Sequence, residues 1–193
     1  MRALVDALLY AGGTVLGDAQ ARLGVDAPPR TLLPGEAGVA RRVFQGALDL
    51  APVRICPGVG GLFSLSPGVA AFVVGNTIRV LRRSAPPPGD PLPDALLVHE
   101  LVHCWQYQHG GRAYLSRALA AQAWGEGYDF ARALRAGRPW AALNPEQQAG
   151  LIEHGHRARA LDGERRFLVD GQDFSAALAE AVAGLRAGVG APA

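Results

Sequence analysis

The pattern of apolar and polar positions changes period within the first half of the chain. Over residues 38–50, apolar side chains recur at i, i+4 spacing, which is typical of a helix packed on a core. Residues 52–56, 69–74 and 77–81 are instead short runs rich in β-branched side chains. Gly75-Asn76, between the last two runs, is a dipeptide typical of a hairpin turn. The pattern therefore predicts a helix followed by a small sheet.

Helical patterns dominate the second half of the chain. The proline-rich stretch 84–93 has no periodic pattern and is interpreted as a loop. Asn144 followed by Pro145 is a typical helix start. The predicted helices after the loop cover residues 94–109, 113–134, 144–161 and 173–185. A short antiparallel or mixed sheet followed by a mostly helical half predicts an α+β fold.

The length of 193 residues and the absence of repeats predict one domain over 1–193. Within it we expect an N-terminal helix and loop at 1–35, and a helix with a small sheet at 36–83. A helical core at 94–161 and a C-terminal helix at 173–187 follow. The loop at 84–93 is not interpreted as a domain boundary, because the sheet before it is too small to stand alone.

Composition and charge indicate which partners to expect. The net charge is +2, and all 19 basic residues are arginines scattered among acidic ones, so no nucleic-acid partner is expected. No apolar run approaches the roughly 20 residues of a membrane span. Asp6 interrupts the apolar N-terminal stretch, so we expect a cytoplasmic protein without a signal peptide. Cys56 and Cys104 are too few for a disulfide framework.

A short motif within the predicted helix 94–109 points to metal chemistry. Residues 99–103 have the sequence His-Glu-Leu-Val-His, which is an HExxH pattern. His99 and His103 lie one turn apart on one helix face, where both imidazoles reach a single Zn²⁺. Glu100 lies about 100° further round the helix, beside the metal rather than on it. That is where a general base takes a proton from water on zinc, so the motif predicts zinc hydrolase chemistry.

A catalytic zinc site needs a third protein ligand. The candidates after the motif are His109, Glu126, Asp129, Glu146, Glu153, His154 and His156. His109 has the spacing of the long metzincin motif, but Gln106 stands where that motif has a helix-breaking glycine. In a continuous helix His109 points about 120° away from the metal face. Glu146, in the first turn of the predicted helix 144–161, is the preferred ligand. Glu153 lies seven residues on, along the same face, and spacing does not separate these two carboxylates.

The motif and its surroundings resemble a known family. Residues 97–108, Leu-Val-His-Glu-Leu-Val-His-Cys-Trp-Gln-Tyr-Gln, resemble the HExxH-x-W-Q-x-Q segment of DUF4157-like zincin metallopeptidase domains. Residues 48–55 and 75–78 resemble the strands before that segment, and 144–149 the helix after it. The family is associated with contractile injection systems, Vgr proteins and polymorphic toxins. The resemblance implies a small zincin-like fold, export through such a system, and the ligands and base His99, His103, Glu146 and Glu100.

One position departs from the pattern of related zinc enzymes. Gluzincins often carry an aspartate four residues after the ligand glutamate, where it supports a metal-bound histidine. Here that position is Gly150, so the histidines need support from elsewhere. The candidate hydrogen-bond donors to the oxyanion formed in peptide hydrolysis are Tyr107, Tyr128, His154 and His156. Gln106 and Tyr107 are expected to line the cleft, and the tryptophans are interpreted as core anchors.

Three functions are compatible with these residues. The first is a zinc-dependent metallopeptidase that uses Glu100 as general base on a protein or peptide substrate. The strand at 77–81 is then expected to be an edge on which an extended peptide adds. The alternative is a non-catalytic assembly or cargo protein of a secretion or injection apparatus, with the same fold. A non-peptidase zinc hydrolase is the third, since HExxH determines the water chemistry more than the substrate.

Overall fold

The computed structural model describes residues 28–59, 69–111 and 127–192. The helix predicted at 1–23 and most of the one predicted at 113–134 lie outside these residues. The described helices are α1 (Pro34–Phe44), α2 (Asp94–Gly110), α3 (Phe130–Arg135), α4 (Pro145–Arg157) and α5 (Ser175–Ala187). The strands are β1 (Arg54–Val59), β2 (Ala71–Val74), β3 (Thr77–Leu81), β4 (Leu168–Val169) and β5 (Gln172–Asp173). This arrangement is the predicted α+β fold.

The first sheet is mixed and has the strand order β1-β3-β2. Strand β2 pairs antiparallel with β3 through the predicted Gly75-Asn76 turn, in which Gly75 has a φ of 64°. Strand β1 pairs parallel with the other side of β3. The prediction that residues 77–81 form an edge strand is therefore wrong, because both sides of β3 are paired and a peptide cannot add there. The residue pattern of a strand does not encode which long-range neighbours it acquires.

The structure corrects several helix boundaries. Helix α1 begins at Pro34 rather than 38, because Pro34 fits the first turn of a helix. It ends at Phe44, since Gln45 adopts a left-handed φ of 47° that stops the helix well before residue 50. Asp94 lies in the first turn of α2, where the cap position is Pro93. Helix α4 ends at Arg157 rather than 161. The short hairpin β4-β5 has too few residues to produce a strand pattern and was not predicted.

Helix α2 lies at the centre of the core. Its apolar side chains from Leu97 to Val102 and Trp105 have no exposed surface. They belong to one cluster with buried residues of the other long helices and of one face of the mixed sheet. Cys56 and Cys104 are both buried, and neither is in a disulfide with the other. Across residues 28–59, 69–111 and 127–192, no helix combines the length and apolar character needed to cross a bilayer.

The carboxylate of Glu36 in α1 forms a partly buried ion pair and also contacts the segment that leads into α2. Both oxygens of Glu36 contact the Arg30 guanidinium, at 2.6 and 2.8 Å. The same carboxylate accepts hydrogen bonds from the backbone N–H groups of Leu33 and Leu92, at 2.8 and 2.9 Å. Burial raises the pKa of Glu36, but the hydrogen bonds from Arg30, Leu92 and Leu33 outweigh burial and hold this pKa below its ordinary value. Glu36 thus connects the start of α1 and the residues just before it to Leu92, which lies 56 positions further along the chain.

We predict that Glu36→Ala lowers the free energy of unfolding by about 3 kcal/mol, because it leaves buried donors without a charged acceptor. Urea denaturation at pH 7 measures this loss, and Glu164→Ala on the exposed surface is the matched control. Because the pKa of Glu36 is lower in the folded protein than in the unfolded chain, the stabilisation by its carboxylate is present above about pH 4.3. It should disappear as the pH falls through the folded pKa. Equal losses in the two variants would contradict this role.

Candidate metal centre

Two imidazoles and one carboxylate meet between α2 and α4. The Nε2 atoms of His99 and His103 lie 3.4 and 3.6 Å from the same Glu146 oxygen, Oε2. The two imidazole rings are 5.0 Å apart and nearly perpendicular. One ligand atom from each of the three residues falls within 4.8 Å of the others, so the group could hold a metal ion. The structure therefore brings together the three residues that the sequence selected as ligands.

The position of Glu146 depends on the capped start of α4. Asn144 Oδ1 accepts a hydrogen bond from the Gln147 backbone N–H at 2.8 Å, and Gln147 Oε1 accepts one from the Asn144 N–H at 3.1 Å. This reciprocal pair is a capping box, and Pro145 occupies the first helical turn as predicted. Glu146 follows directly and is only 2% exposed. The cap thus fixes the turn from which this carboxylate faces the two histidines.

The outer nitrogens of both imidazoles also have partners. His99 Nδ1 donates to Glu153 Oε2 at 3.1 Å, and His103 Nδ1 donates to Gln106 Oε1 at 2.8 Å. These contacts provide the support that the glycine at position 150 does not give. A Cβ atom at Gly150 would lie 3.4 Å from Cδ1 of Phe130, so this position points towards Phe130. The supporting carboxylate therefore comes from Glu153, one helical turn later on α4.

Glu100 lies beside the three candidate ligands without belonging to them. It is 3% exposed, and its Oε2 atom has no hydrogen-bond partner within the part of the chain that the structure describes. Burial raises the pKa of Glu100, while the positive charges of His99 and His103 act in the opposite direction. A buried carboxylate oxygen without a partner is costly, so it is suited to a bound water or ligand. The residues present therefore fit a metal centre with an adjacent base.

The charges of the centre favour a cation. Burial lowers the pKa of His99, but the carboxylates of Glu146 and Glu153 outweigh burial and raise this pKa to about 10. Burial raises the pKa of Glu146, yet His103 and His99 hold it well below the ordinary value of a glutamate. With Glu100, three carboxylates surround two imidazoles. A divalent cation that displaces the imidazole protons would balance this excess of acidic groups.

The two other candidate ligands take different positions. Helix α2 is unbroken through Gln106 and ends at Gly110, with Gly111 after it, as predicted. His109 accordingly points away from the centre, where its Nε2 donates to the Ala47 carbonyl at 2.7 Å. Glu153 contacts His99 through Nδ1, whereas Glu146 lies near Nε2. In this geometry, Glu146 rather than Glu153 shares the space between the two Nε2 atoms.

The remaining predicted residues lie at varied distances from the centre. Tyr128 is half exposed, and its ring lies 6.1 Å from the His99 ring. His154 packs against Phe130, and His156 is 4.0 Å from Asp94 at the start of α2. The expectation that Gln106 lines the cleft is wrong, because this side chain is fully buried. Its contact with His103 was missed, although a residue three positions along a helix is a neighbour.

The tryptophans that the structure describes are core residues, as predicted. Trp105 is fully buried and Trp140 is 4% exposed, and their rings lie 6.0 Å apart. Trp105 follows His103 by two positions, so its ring occupies the opposite side of α2 from the metal centre. Trp124 lies outside the described residues. The two aromatic side chains thus anchor α2 in the core and leave its histidine face towards α4.

The chain is similar to the type VI secretion system spike protein VgrG2b of Pseudomonas aeruginosa. The two sequences are 27% identical over 153 residues, which cover 72% of this chain and 14% of the spike protein. The chain therefore spans a small part of the length of that relative. No family model and no solved structure matches the chain. This similarity agrees with the expected resemblance to domains found with Vgr proteins, and the zincin family assignment stays a prediction.

Proposed function

We propose that the chain is a zinc-dependent metallopeptidase. The observation that carries this proposal is the buried Glu100 oxygen, which has no partner among the described residues and lies next to His99, His103 and Glu146. Two histidines and one glutamate are a donor set found in catalytic zinc sites, where a fourth position is left to water or substrate. A purely structural zinc site has four protein ligands and has no need of an additional buried carboxylate.

The side chains of the centre have separate parts in this mechanism. Zn²⁺ held by His99, His103 and Glu146 would polarise a peptide carbonyl and lower the pKa of a water molecule to about 7. Glu100 would accept the proton of that water as it attacks the carbonyl carbon. The same carboxyl group would then return the proton to the leaving amine as the peptide bond breaks. Glu153 keeps the His99 imidazole oriented throughout.

The similarity to a secretion spike protein favours a second proposal, which concerns where the chain acts. We propose that the chain is exported through, or works with, a type VI secretion apparatus. The 27% identity to the spike protein supports this proposal. A non-catalytic assembly or cargo protein is the competing interpretation of the same similarity. A non-peptidase zinc hydrolase would share the same centre. Whether the zinc-loaded protein cleaves peptide substrates separates these functions.

Removing Glu146 should abolish tight zinc binding. We predict that wild-type protein binds one zinc ion per chain and that Glu146→Ala lowers zinc affinity by orders of magnitude, because two histidines leave too few protein donors. Competition with a chromophoric chelator measures the affinity, and elemental analysis measures the stoichiometry. His109→Ala is the matched control on α2 and should retain zinc. A wild-type chain that takes up no zinc on titration would exclude the proposed centre.

Glu100 should be required for hydrolysis and not for zinc binding. We predict that Glu100→Gln keeps one zinc ion per chain and lowers peptide hydrolysis by about 10²–10⁴-fold, because the amide does not accept the proton of water. Cleavage of an unfolded protein such as reduced casein is followed by mass spectrometry. His99→Ala, as control, should lose both zinc and activity. Zinc-loaded wild-type protein that cleaves no unfolded substrate would favour the assembly function.

Export should depend on the secretion apparatus. In a bacterium that carries both the chain and a type VI apparatus, we expect the chain in the culture medium. Inactivation of the apparatus should remove it from the medium without lowering its amount in the cells. Immunoblots of both fractions measure this, with an abundant cytoplasmic enzyme as the control for lysis. Equal amounts in the medium of both strains would argue against this route.

A further inference from the structure

Two buried glutamines connect the candidate metal centre to backbone carbonyl groups. We infer that Gln106 and Gln148 form an amide relay that fixes which nitrogen of His103 carries its hydrogen. The relay makes both glutamines positioning residues for a metal ligand. This inference rests on the proposed zinc centre and adds to it a device that the HExxH motif does not contain.

At the far end, two carbonyl groups set the orientation of Gln148. This side chain is fully buried on α4, and its Nε2 donates to the carbonyl oxygens of Trp140 at 3.0 Å and Gly190 at 2.8 Å. A carbonyl oxygen only accepts hydrogen bonds, so the amino end of the amide must face these two groups. Both of its N–H bonds are then used. The amide oxygen, Oε1, is left to face α2.

In the middle of the relay, the same reasoning sets the orientation of Gln106. Its Nε2 donates to Gln148 Oε1 and to the Pro145 carbonyl oxygen, both at 3.0 Å. Each of these oxygens only accepts, so the amino end of the Gln106 amide must face them. Both of its N–H bonds are used as well. Gln106 Oε1 therefore faces the histidine.

At the near end, the relay determines the hydrogen position on His103. Gln106 Oε1 lies 2.8 Å from His103 Nδ1, and an amide oxygen only accepts, so Nδ1 carries the hydrogen. In the neutral imidazole, the lone pair is then on Nε2, the atom that faces Glu146 Oε2. A reversed amide at either glutamine would place its oxygen against two oxygens that only accept hydrogen bonds. The backbone carbonyls thus decide the tautomer of a ligand on another helix.

The two histidines are oriented by different chemistry. His99 donates to the carboxylate of Glu153, which is partly exposed at 20% of its side-chain surface. His103 instead donates to a neutral amide in a fully buried chain of hydrogen bonds. One carbonyl of that chain belongs to Gly190, in the segment after α5, and this segment is also held by a bond from Trp140 Nε1 to the Val189 carbonyl. The orientation of His103 therefore depends on the C-terminal segment.

Substitution at the far end tests the relay without touching a ligand. We predict that Gln148→Leu lowers zinc affinity by about 10–100-fold, because Gln106 loses the partner that fixes its orientation. Gln106→Met should give at least the same loss. The matched control is Gln108→Leu, which removes a glutamine of α2 whose side chain bonds Asp49 and Asn76 instead of the metal centre. The control should lose stability while its zinc affinity, measured by chelator competition on folded protein, is unchanged.

A double variant and a spectroscopic signal make the test specific. If the relay passes through Gln106, adding Gln148→Leu to Gln106→Met should cause no further loss of zinc affinity. The Nδ1–H of His103, observed in ¹H–¹⁵N spectra, should exchange slowly with solvent in wild type and in Gln108→Leu. It should exchange rapidly in Gln148→Leu. This hydrogen is present on the neutral imidazole and on the imidazolium, so the signal is recorded with or without zinc.

The outcomes separate the relay from the proposed zinc centre. Wild-type affinity and a protected Nδ1–H in Gln148→Leu would overturn the relay and leave the zinc centre in place. Additive losses in the double variant would also overturn it, because they would show that Gln148 acts independently of Gln106. A wild-type chain that binds no zinc would contradict the centre, and the exchange of the His103 hydrogen would still decide the relay.

Discussion

Helix α2 passes through the core with nearly every side chain from Leu97 to Gln106 buried, yet polar groups stand among them. Glu100, His103 and Gln106 are each costly at that depth unless a partner is present, since an unsatisfied buried polar group costs about 1–3 kcal/mol and a charged one more. The second half of the fold is arranged around this requirement. Helix α4 packs against α2. It presents carboxylates to His99 and His103, and an amide to Gln106, which in turn contacts His103.

Helix α4 satisfies these groups through successive turns. Glu146 in its first turn faces the Nε2 atoms of His99 and His103. Further along the helix, Gln148 Oε1 accepts a hydrogen bond from Gln106 Nε2, and Glu153 accepts one from His99 Nδ1. The helix can do this because a capping box fixes its first turn. Gly150 keeps its own face free for the ring of Phe130. Packing and polar satisfaction thus depend on the same helix pair, and a shift between the two helices would disturb both.

Glu100 is the exception to this arrangement, and its Oε2 has no partner within the described residues. Elsewhere in the core, the buried carboxylate of Glu36 has four hydrogen-bond contacts. An acidic group with a structural role in this fold is therefore fully hydrogen-bonded. The contrast between these two glutamates is the main physical reason to propose chemistry at Glu100. Its neighbours are those that a zinc hydrolase requires.

The sequence by itself determined the elements and the geometry within one helix. HExxH spacing put His99 and His103 on one face, the lack of a breaker at Gln106 turned His109 away, and Asn144-Pro145 located the start of α4. These features depend on backbone periodicity and capping, which act over a few residues. Only the tertiary structure decided that β3 is central, that Glu153 supports His99, and that Gln106 is buried against Gln148. Each of these contacts joins residues more than about twenty positions apart, and its geometry depends on how whole elements pack, which no local pattern encodes.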